Sequence, residues 1–317
     1  MSGISAETLK QRQALPLELK VVRTKQRIRD WYEHWHGDVY LSFSGGKDST
    51  VLLDIVREMY PEVPAVFCDT GLEYPEVREF ALGNADIVLK PDMNFKQVIE
   101  KYGYPFPSKE QALYIRQYRH STPKMRKLRW EGYPPNGRFC IAKRWRYLVD
   151  APFELSEQCC DVMKKRPFKR FERERELKPM IATMADESRL RFQEYLQHGC
   201  NSFDAKRVKS TPLGFWTEND VLGYLRETGI DYASCYGEIV DDGGELRVTG
   251  TKRTGCMFCL FGIYAEHEPN RMQKMQRDYP KQYDYCINKL GIGRVLDYVG
   301  IPYKYQPTLF DMEGDVR

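Results

Sequence analysis

The 317-residue chain has no apolar run approaching the roughly 18 residues needed to cross a bilayer, no internal repeat and no low-complexity tract. These absences exclude a helical membrane protein, a solenoid or propeller, and a fibrous or disordered chain. Residues 1–20 also lack the apolar stretch of a secretory signal, so the expectation is a cytoplasmic protein with no membrane partner. In that compartment the nine cysteines stay reduced, which makes metal or sulfur chemistry a better default than disulfides. The five histidines show no metal-ligand spacing.

The length suits one large α/β domain with a smaller appended region. Net charge is only +4, but it is unevenly spread. Residues 116–178 hold 18 Lys and Arg against 8 Asp and Glu, which leaves the rest of the chain net acidic. Such a basic middle either suits an anionic substrate, phosphate or nucleic acid, or is a solvated helical face.

Residues 38–44 (DVYLSFS) read as a strand running into a glycine turn, and Val51, Leu52, Ile55, Val56 and Met59 then recur at helical spacing. Strands at 65–69, 87–90 and 179–184 alternate with helices at 75–82 and 94–102, which predicts a mostly parallel sheet covered on both faces. Thr217 with Asp220 predicts a capped helix over 218–227, stopped by Gly229. Residues 104–146 mix Pro, Gly, aromatic and basic residues without clear periodicity and read as an insertion flanking the site. Residues 269–290 read as one helix and the last dozen as a tail.

The most informative string is Ser44-Gly45-Gly46-Lys47-Asp48-Ser49, set between strand and helix. Two glycines let backbone N–H groups turn inward, where they and the helix N-terminus can hold phosphate oxygens. Ser44 and Ser49 add hydroxyls, Lys47 can neutralise a phosphate, and Asp48 can orient the loop or a magnesium ion. The spacing is neither the Walker-type G-x-x-x-x-G-K-[ST] nor G-x-G-x-x-G. A further pair of thiol motifs, Cys159-Cys160 and Cys256-x-x-Cys259, stands 96 positions apart. Four thiolates can complete a 4Fe-4S cluster or an all-cysteine zinc site, and spacing alone does not distinguish them.

SGGKDS resembles the PP-loop of ATP pyrophosphatases, and the chain as a whole resembles the phosphoadenosine phosphosulfate (PAPS) reductase family. Asp69-Thr70-Gly71, at the end of the second strand, resembles that family's D-T-G. Residues 186–191, with Ser188 and Arg191, resemble its G-x-R-x-(D/E)-(E/Q)-S element, although Ala182 and Met184 stand where glycine and arginine are usual. Residues 211–217 (TPLGFWT) resemble its P-L-x-x-W-T helix start.

The resemblance implies an adenine nucleotide alpha hydrolase-like α/β fold. It also implies an N-terminal helical segment at 1–36, a nucleotide-binding domain at 37–230 with a basic insertion at about 104–178, and a cysteine-containing region at 231–317 that is helical and binds a cluster. It implies ATP and magnesium as ligands, with Ser44 to Ser49, Asp69, Thr70, Gly71, Ser188 and Arg191 around the nucleotide. Adenosine phosphosulfate (APS) reductases and the subunits that insert sulfur into DNA are similar in pairing Cys-Cys with C-x-x-C around a 4Fe-4S cluster. That likeness implies Cys159, Cys160, Cys256 and Cys259 as ligands, zinc being the alternative metal, and places Lys164 between cluster and substrate. Cys140, in a basic setting, is either a reactive thiolate or an apolar filler.

True sulfonucleotide reductases carry a C-terminal Glu-Cys-Gly-Leu/Ile-His segment that this chain lacks, and they erode the loop that is intact here. The expectation is therefore ATP-dependent sulfur transfer to an adenylated acceptor, with tRNA or DNA as acceptor and a separate sulfur donor or thiol protein as partner. Lys47, Asp48 and Lys164 are the expected catalytic residues. The alternatives are an assimilatory PAPS or APS reductase and a non-catalytic nucleic-acid-binding subunit, and the oligomeric state is left open.

Overall fold

The structure, a computed structural model, describes residues 3–204 and 208–306. The chain folds as two compact units and visits each twice: Met1–Pro91 and Lys164–Gly255 form the first, Asp92–Met163 and Cys256–Arg317 the second. Unit one begins with α1 (Ala6–Gln13), α2 (Leu17–His34), β1 (Val39–Phe43), α3 (Lys47–Met59), β2 (Ala65–Cys68), α4 (Pro75–Asn84) and β3 (Ile87–Leu89). The chain then builds α5 (Phe95–Tyr102), α6 (Lys109–His120) and α7 (Pro123–Glu131) of unit two. It returns to unit one for α8 (Arg166–Arg175), β4 (Lys178–Ile181), α9 (Arg189–His198), β5 (Asn201–Ser202), β6 (Lys209–Ser210), α10 (Glu218–Thr228), β7 (Ile239–Asp242) and β8 (Glu245–Val248). The last helices of unit two are α11 (Arg271–Asp278), α12 (Pro280–Asp284) and α13 (Ile292–Val299).

The main sheet has the order β3-β2-β1-β4-β6-β5, and only β5 runs antiparallel to its neighbour. β1 is apolar on both faces, as a central parallel strand must be. Val39, Leu41 and Phe43 join the larger core with Ile28 and Trp31 of α2, Leu52 and Ile55 of α3, and Val221 and Leu225 of α10. Tyr40 points the other way, into a smaller cluster with Val66 of β2 and Phe171 of α8. The capping box at Thr217 and Asp220 forms as the spacing predicts. Asp220 also receives the buried ammonium of Lys20 at 2.6 Å, and Trp216 donates to Thr24 at 2.9 Å. These bonds fix α10 against α2.

Several expectations are corrected. The strand read at 179–184 stops at Ile181, where Thr183 N–H turns back to the Ile181 carbonyl at 2.9 Å. The stretch read as an aperiodic insertion is mostly helical, as α6, α7 and the 3-10 segment Lys143–Asp150. Its pattern is blurred because arginines do structural work: Arg119 donates to the carbonyls of Leu148, Val149, Ala151 and Phe153 at 2.6–3.0 Å. The helix read at 269–290 is broken at Tyr279, because Pro280 disfavours helical geometry in the residue before it. The unit boundaries also cut across the anticipated domains. Residues 92–163 leave the nucleotide-binding stretch, while 231–255 stay with unit one, where Leu246 N–H bonds the Asn219 side chain of α10 at 2.8 Å.

Candidate functional site

From β1 the chain proceeds to β2 on one side and later to β4 on the other. The crevice beyond these carboxyl ends is the topological switch point at which open α/β sheets take ligands. A cavity of about 290 Å³ lies in unit one, lined by Ser44, Gly46, Lys47 and Asp48 after β1 and by Met184, Asp186 and Glu187 after β4. Glu218, Tyr236, Arg253 and Thr254 complete its wall. The early end of β4 thus has a use: it releases residues 184–187 to the cavity.

The loop after β1 is shaped by its glycines. Gly45 adopts φ +72°, and a Cβ there would meet the Val77 carbonyl at 2.6 Å and the Ala81 methyl at 2.8 Å. Gly46 is the N-cap of α3 and offers no side chain to it, so the first backbone N–H groups of that helix keep the partial positive charge of an uncapped terminus. The two serines bond each other within the loop. Ser49 donates to the Gly46 carbonyl at 2.8 Å and meets the Ser44 hydroxyl at 3.0 Å; its hydroxyl braces the loop.

Lys47 is buried, and its ammonium lies 3.1 Å from Glu218 Oε1, 3.2 Å from the Lys252 carbonyl and 5.5 Å from the Tyr236 ring centroid. Tyr236 bonds Thr254 at 2.5 Å, and burial pushes its hydroxyl up to about 12. Asp48 Oδ1 is buried without a hydrogen-bond partner, the Lys47 ammonium standing 4.0 Å away. Burial raises the Asp48 carboxyl above its ordinary range, and Glu218 adds to this. Lys47, Arg191 and Arg253 oppose it. A buried carboxylate oxygen left unmatched is costly, and a hard cation such as magnesium is the kind of group that would match it.

The Asp69-Thr70-Gly71 turn stands at the end of β2 but is not part of the cavity lining. Asp69 takes both arms of Arg78 at 2.7 Å, which holds its carboxyl below the usual range. Thr70 donates to Glu73 at 2.7 Å. Lys164 lies 3.2 Å from the same Glu73, and nearby Cys68 is pushed up to about 12 by burial, then by Glu73. Ser188 is the N-cap of α9, accepting from Arg191 N–H, and the Arg191 guanidinium pairs with Glu187.

In unit two, Cys159 and Cys160 sulfurs stand 3.9 Å apart. The Cys159 thiol is raised above its ordinary range, first by its hydrogen bond to Cys160, then by burial and by the charges of Cys160, Cys259 and Cys256. Cys256 and Cys259 close a turn, Cys259 N–H to Cys256 carbonyl at 3.1 Å. Arg271 donates to the Cys259 carbonyl at 3.0 Å. The structure thus gathers all four thiols of the two motifs into one electrostatic neighbourhood. Among the described residues no three His, Cys, Asp or Glu side chains are closed to metal-ligand geometry. In kind and number the donors suit a soft metal or an iron-sulfur cluster.

Glu218, Tyr236 and Arg253 were not singled out in the sequence. Only Glu218 carried a cue, as an acid in the first turn of a predicted helix.

The sequence model described as the phosphoadenosine phosphosulfate reductase domain matches residues 38–131 and 141–260. An uncharacterised protein of Methanocaldococcus jannaschii is 24% identical over 273 residues, covering 83% of this chain and 43% of that one. This chain therefore spans less than half the length of that relative. The adenosine 5'-phosphosulfate reductase of Staphylococcus epidermidis is 21% identical over 251 residues, 76% of this chain and 78% of that one. Among solved structures, the PAPS reductase of Candida auris in its phosphate complex is similar with a TM-score of 0.40 and 16% identity, over 75% of this chain and 96% of that chain.

Proposed function

The chain belongs to the phosphoadenosine phosphosulfate reductase domain family, and we propose that it is a member that uses ATP to activate an acceptor for sulfur transfer. The observation that carries this reading is the pairing of a buried lysine with a buried, unpartnered carboxylate oxygen at the uncapped start of α3. A triphosphate brings negative charge to Arg253 and the α3 amides, competes with Glu218 for Lys47, and brings magnesium to Asp48. On arrival of the nucleotide, Lys47 exchanges Glu218 for phosphate oxygens. Catalysis then consists of placing positive charge where negative charge develops.

In the reaction an acceptor oxygen attacks the α-phosphorus, the bond to the bridging oxygen of the β-phosphate breaks, and pyrophosphate leaves with the electron pair. A sulfur nucleophile from a separate donor then attacks the atom that bears the adenylated oxygen, a base carbon or a backbone phosphorus, and AMP departs with the acceptor's former oxygen. Lys164 supplies a further cation for the anionic substrate. The basic residues of the chain's middle suit tRNA or DNA as acceptor. Cys159, Cys160, Cys256 and Cys259 would hold a 4Fe-4S cluster, with zinc the alternative, and such a cluster supplies iron sites able to exchange electrons or bind sulfur.

The test is ATP-dependent exchange of labelled pyrophosphate by anaerobically purified protein, with candidate RNA and DNA acceptors added in turn. Exchange or AMP formation is expected with one of them. Sulfite released from PAPS or APS with thioredoxin, and no use of ATP, would overturn the reading in favour of a sulfonucleotide reductase. For the thiols, Cys256→Ser is expected to lose iron and acid-labile sulfide together; a colourless wild-type protein with stoichiometric zinc would replace the cluster by zinc.

A further inference from the structure

Unit two carries a surface that the nucleotide reading does not use. Residues 116–146 contain ten Lys and Arg and a single acid, Glu131. Arg116 and Arg119 are engaged within the fold, and Lys127 pairs with Glu131. Lys124, Arg126, Arg138, Lys143 and Arg144 have no carboxylate partner among the described residues.

Aromatic rings are interleaved with these charges. Tyr118 of α6 and Trp130 of α7 lie 5.3 Å apart; Arg126 covers the first and Arg146 the second, at 5.8 and 4.4 Å. After α7 the chain makes a tight loop, closed by Tyr133 N–H to the Arg138 carbonyl at 2.8 Å. At its two sides Tyr133 and Phe139 are 64% and 56% exposed. Phe139 sits at φ +64°, an unusual conformation for a residue with a side chain.

The loop is anchored rather than loose. Arg129 is 9% exposed; its guanidinium, stacked on Tyr114 at 4.2 Å, donates to the Phe139 carbonyl at 2.6 Å, and its backbone carbonyl accepts Ile141 N–H at 2.7 Å. A buried cation therefore holds the backbone from which an exposed ring projects.

We propose that this α6–α7 face, with Tyr133 and Phe139 at its tip, binds the unpaired bases of an RNA loop, its arginines and lysines following the phosphates. The proposal rests on the nucleic-acid part of the reading above and names the surface that serves it. Charge alone suits any polyanion. Exposed rings suit bases whose faces are open, and duplex DNA keeps those faces stacked, whereas folded RNA presents them in loops.

The test uses the full chain without ATP and measures fluorescence anisotropy with three labelled probes: an RNA hairpin with an unpaired loop, an RNA duplex of equal length and a DNA duplex of equal length. The hairpin is expected to bind tightest. Tyr133→Ala and Phe139→Ala should each weaken it about tenfold without changing its salt dependence, while Lys124→Gln with Arg138→Gln should flatten that dependence. Equal affinity for all three probes, equal affinity for polyglutamate, or no effect of removing both rings would overturn the proposal. In acceptor-dependent pyrophosphate exchange the ring variants should raise the KM for the RNA about tenfold and leave kcat close to wild type. Hairpin binding without exchange would refute only the nucleotide reading, and exchange without hairpin binding only the surface.

Discussion

The loop after β1 and the Asp69-Thr70-Gly71 turn after β2 occupy neighbouring positions on one edge of one sheet. Both combine a left-handed glycine, a hydroxyl and an aspartate. In the first, the hydroxyls are consumed in bracing the loop while the lysine and one aspartate oxygen remain at a cavity. In the second, the aspartate is saturated by Arg78 and the threonine by Glu73. Motif resemblance therefore says which groups stand near the edge, and their internal partners decide which of them a ligand can still recruit.

The largest effect that would sharpen this contrast is on chemistry. Lys47→Ala should lower ATP-dependent pyrophosphate exchange by about 10²–10³-fold, the usual cost of removing one stabiliser of developing charge. A loss smaller than about tenfold would put the two turns on an equal footing.

Next come the two glycines, Gly45 at φ +72° and Gly71 at φ +70°. Gly45→Ala pays both the left-handed penalty and a clash with Val77 and Ala81, about 3 kcal/mol in all. Gly71→Ala meets nothing within 4 Å and should cost about 1 kcal/mol. Urea unfolding of both variants measures the difference, and equal losses would show that the β1 loop is no more tightly enclosed than the turn.

Arg78→Ala should destabilise the protein by about 1–2 kcal/mol near neutral pH, less than a fully buried pair because Arg78 is half exposed. The Asp69 carboxyl is depressed in the folded state, so its stabilisation is present above the ordinary carboxylate range and disappears as pH falls through the folded value. The deficit of Arg78→Ala should accordingly shrink in acid, while pyrophosphate exchange stays close to wild type. Exchange lost as completely as in Lys47→Ala would break the comparison.

The smallest effect on stability has the opposite sign. The Asp48 carboxyl is raised by burial, so its ionisation opposes folding once pH exceeds the folded value. Asp48→Asn should raise the thermal midpoint of the nucleotide-free protein at neutral pH, with the gain vanishing in acid, and should lose magnesium-dependent nucleotide binding. A lower midpoint at neutral pH would show that Asp48 already has a partner.

The β1–α3 loop was legible because strand, paired glycines and helix are contiguous, and the Thr217–Asp220 box for the same reason. Glu218, Tyr236, Arg253 and Thr254 were not, since they come from far along the chain and bear no local pattern tied to a phosphate. The α6–α7 region was misread because Arg119 and Arg129, which belong to its interior bonding, break the apolar period that marks a helix. At residues 179–184 the composition suggested a longer strand than the sheet pairs, because β6 offers β4 only Ser210 opposite Met180.

By itself the sequence determined the family, the α/β alternation and the place of the phosphate-type loop, since these depend on residues adjacent in the chain and on periodicities of two and 3.6. Tertiary structure alone decided that Ser49 braces the loop, that Arg78 claims Asp69, and that Glu218 holds Lys47. Such choices depend on which distant partner reaches a group within about 3 Å, a distance that chain order does not encode.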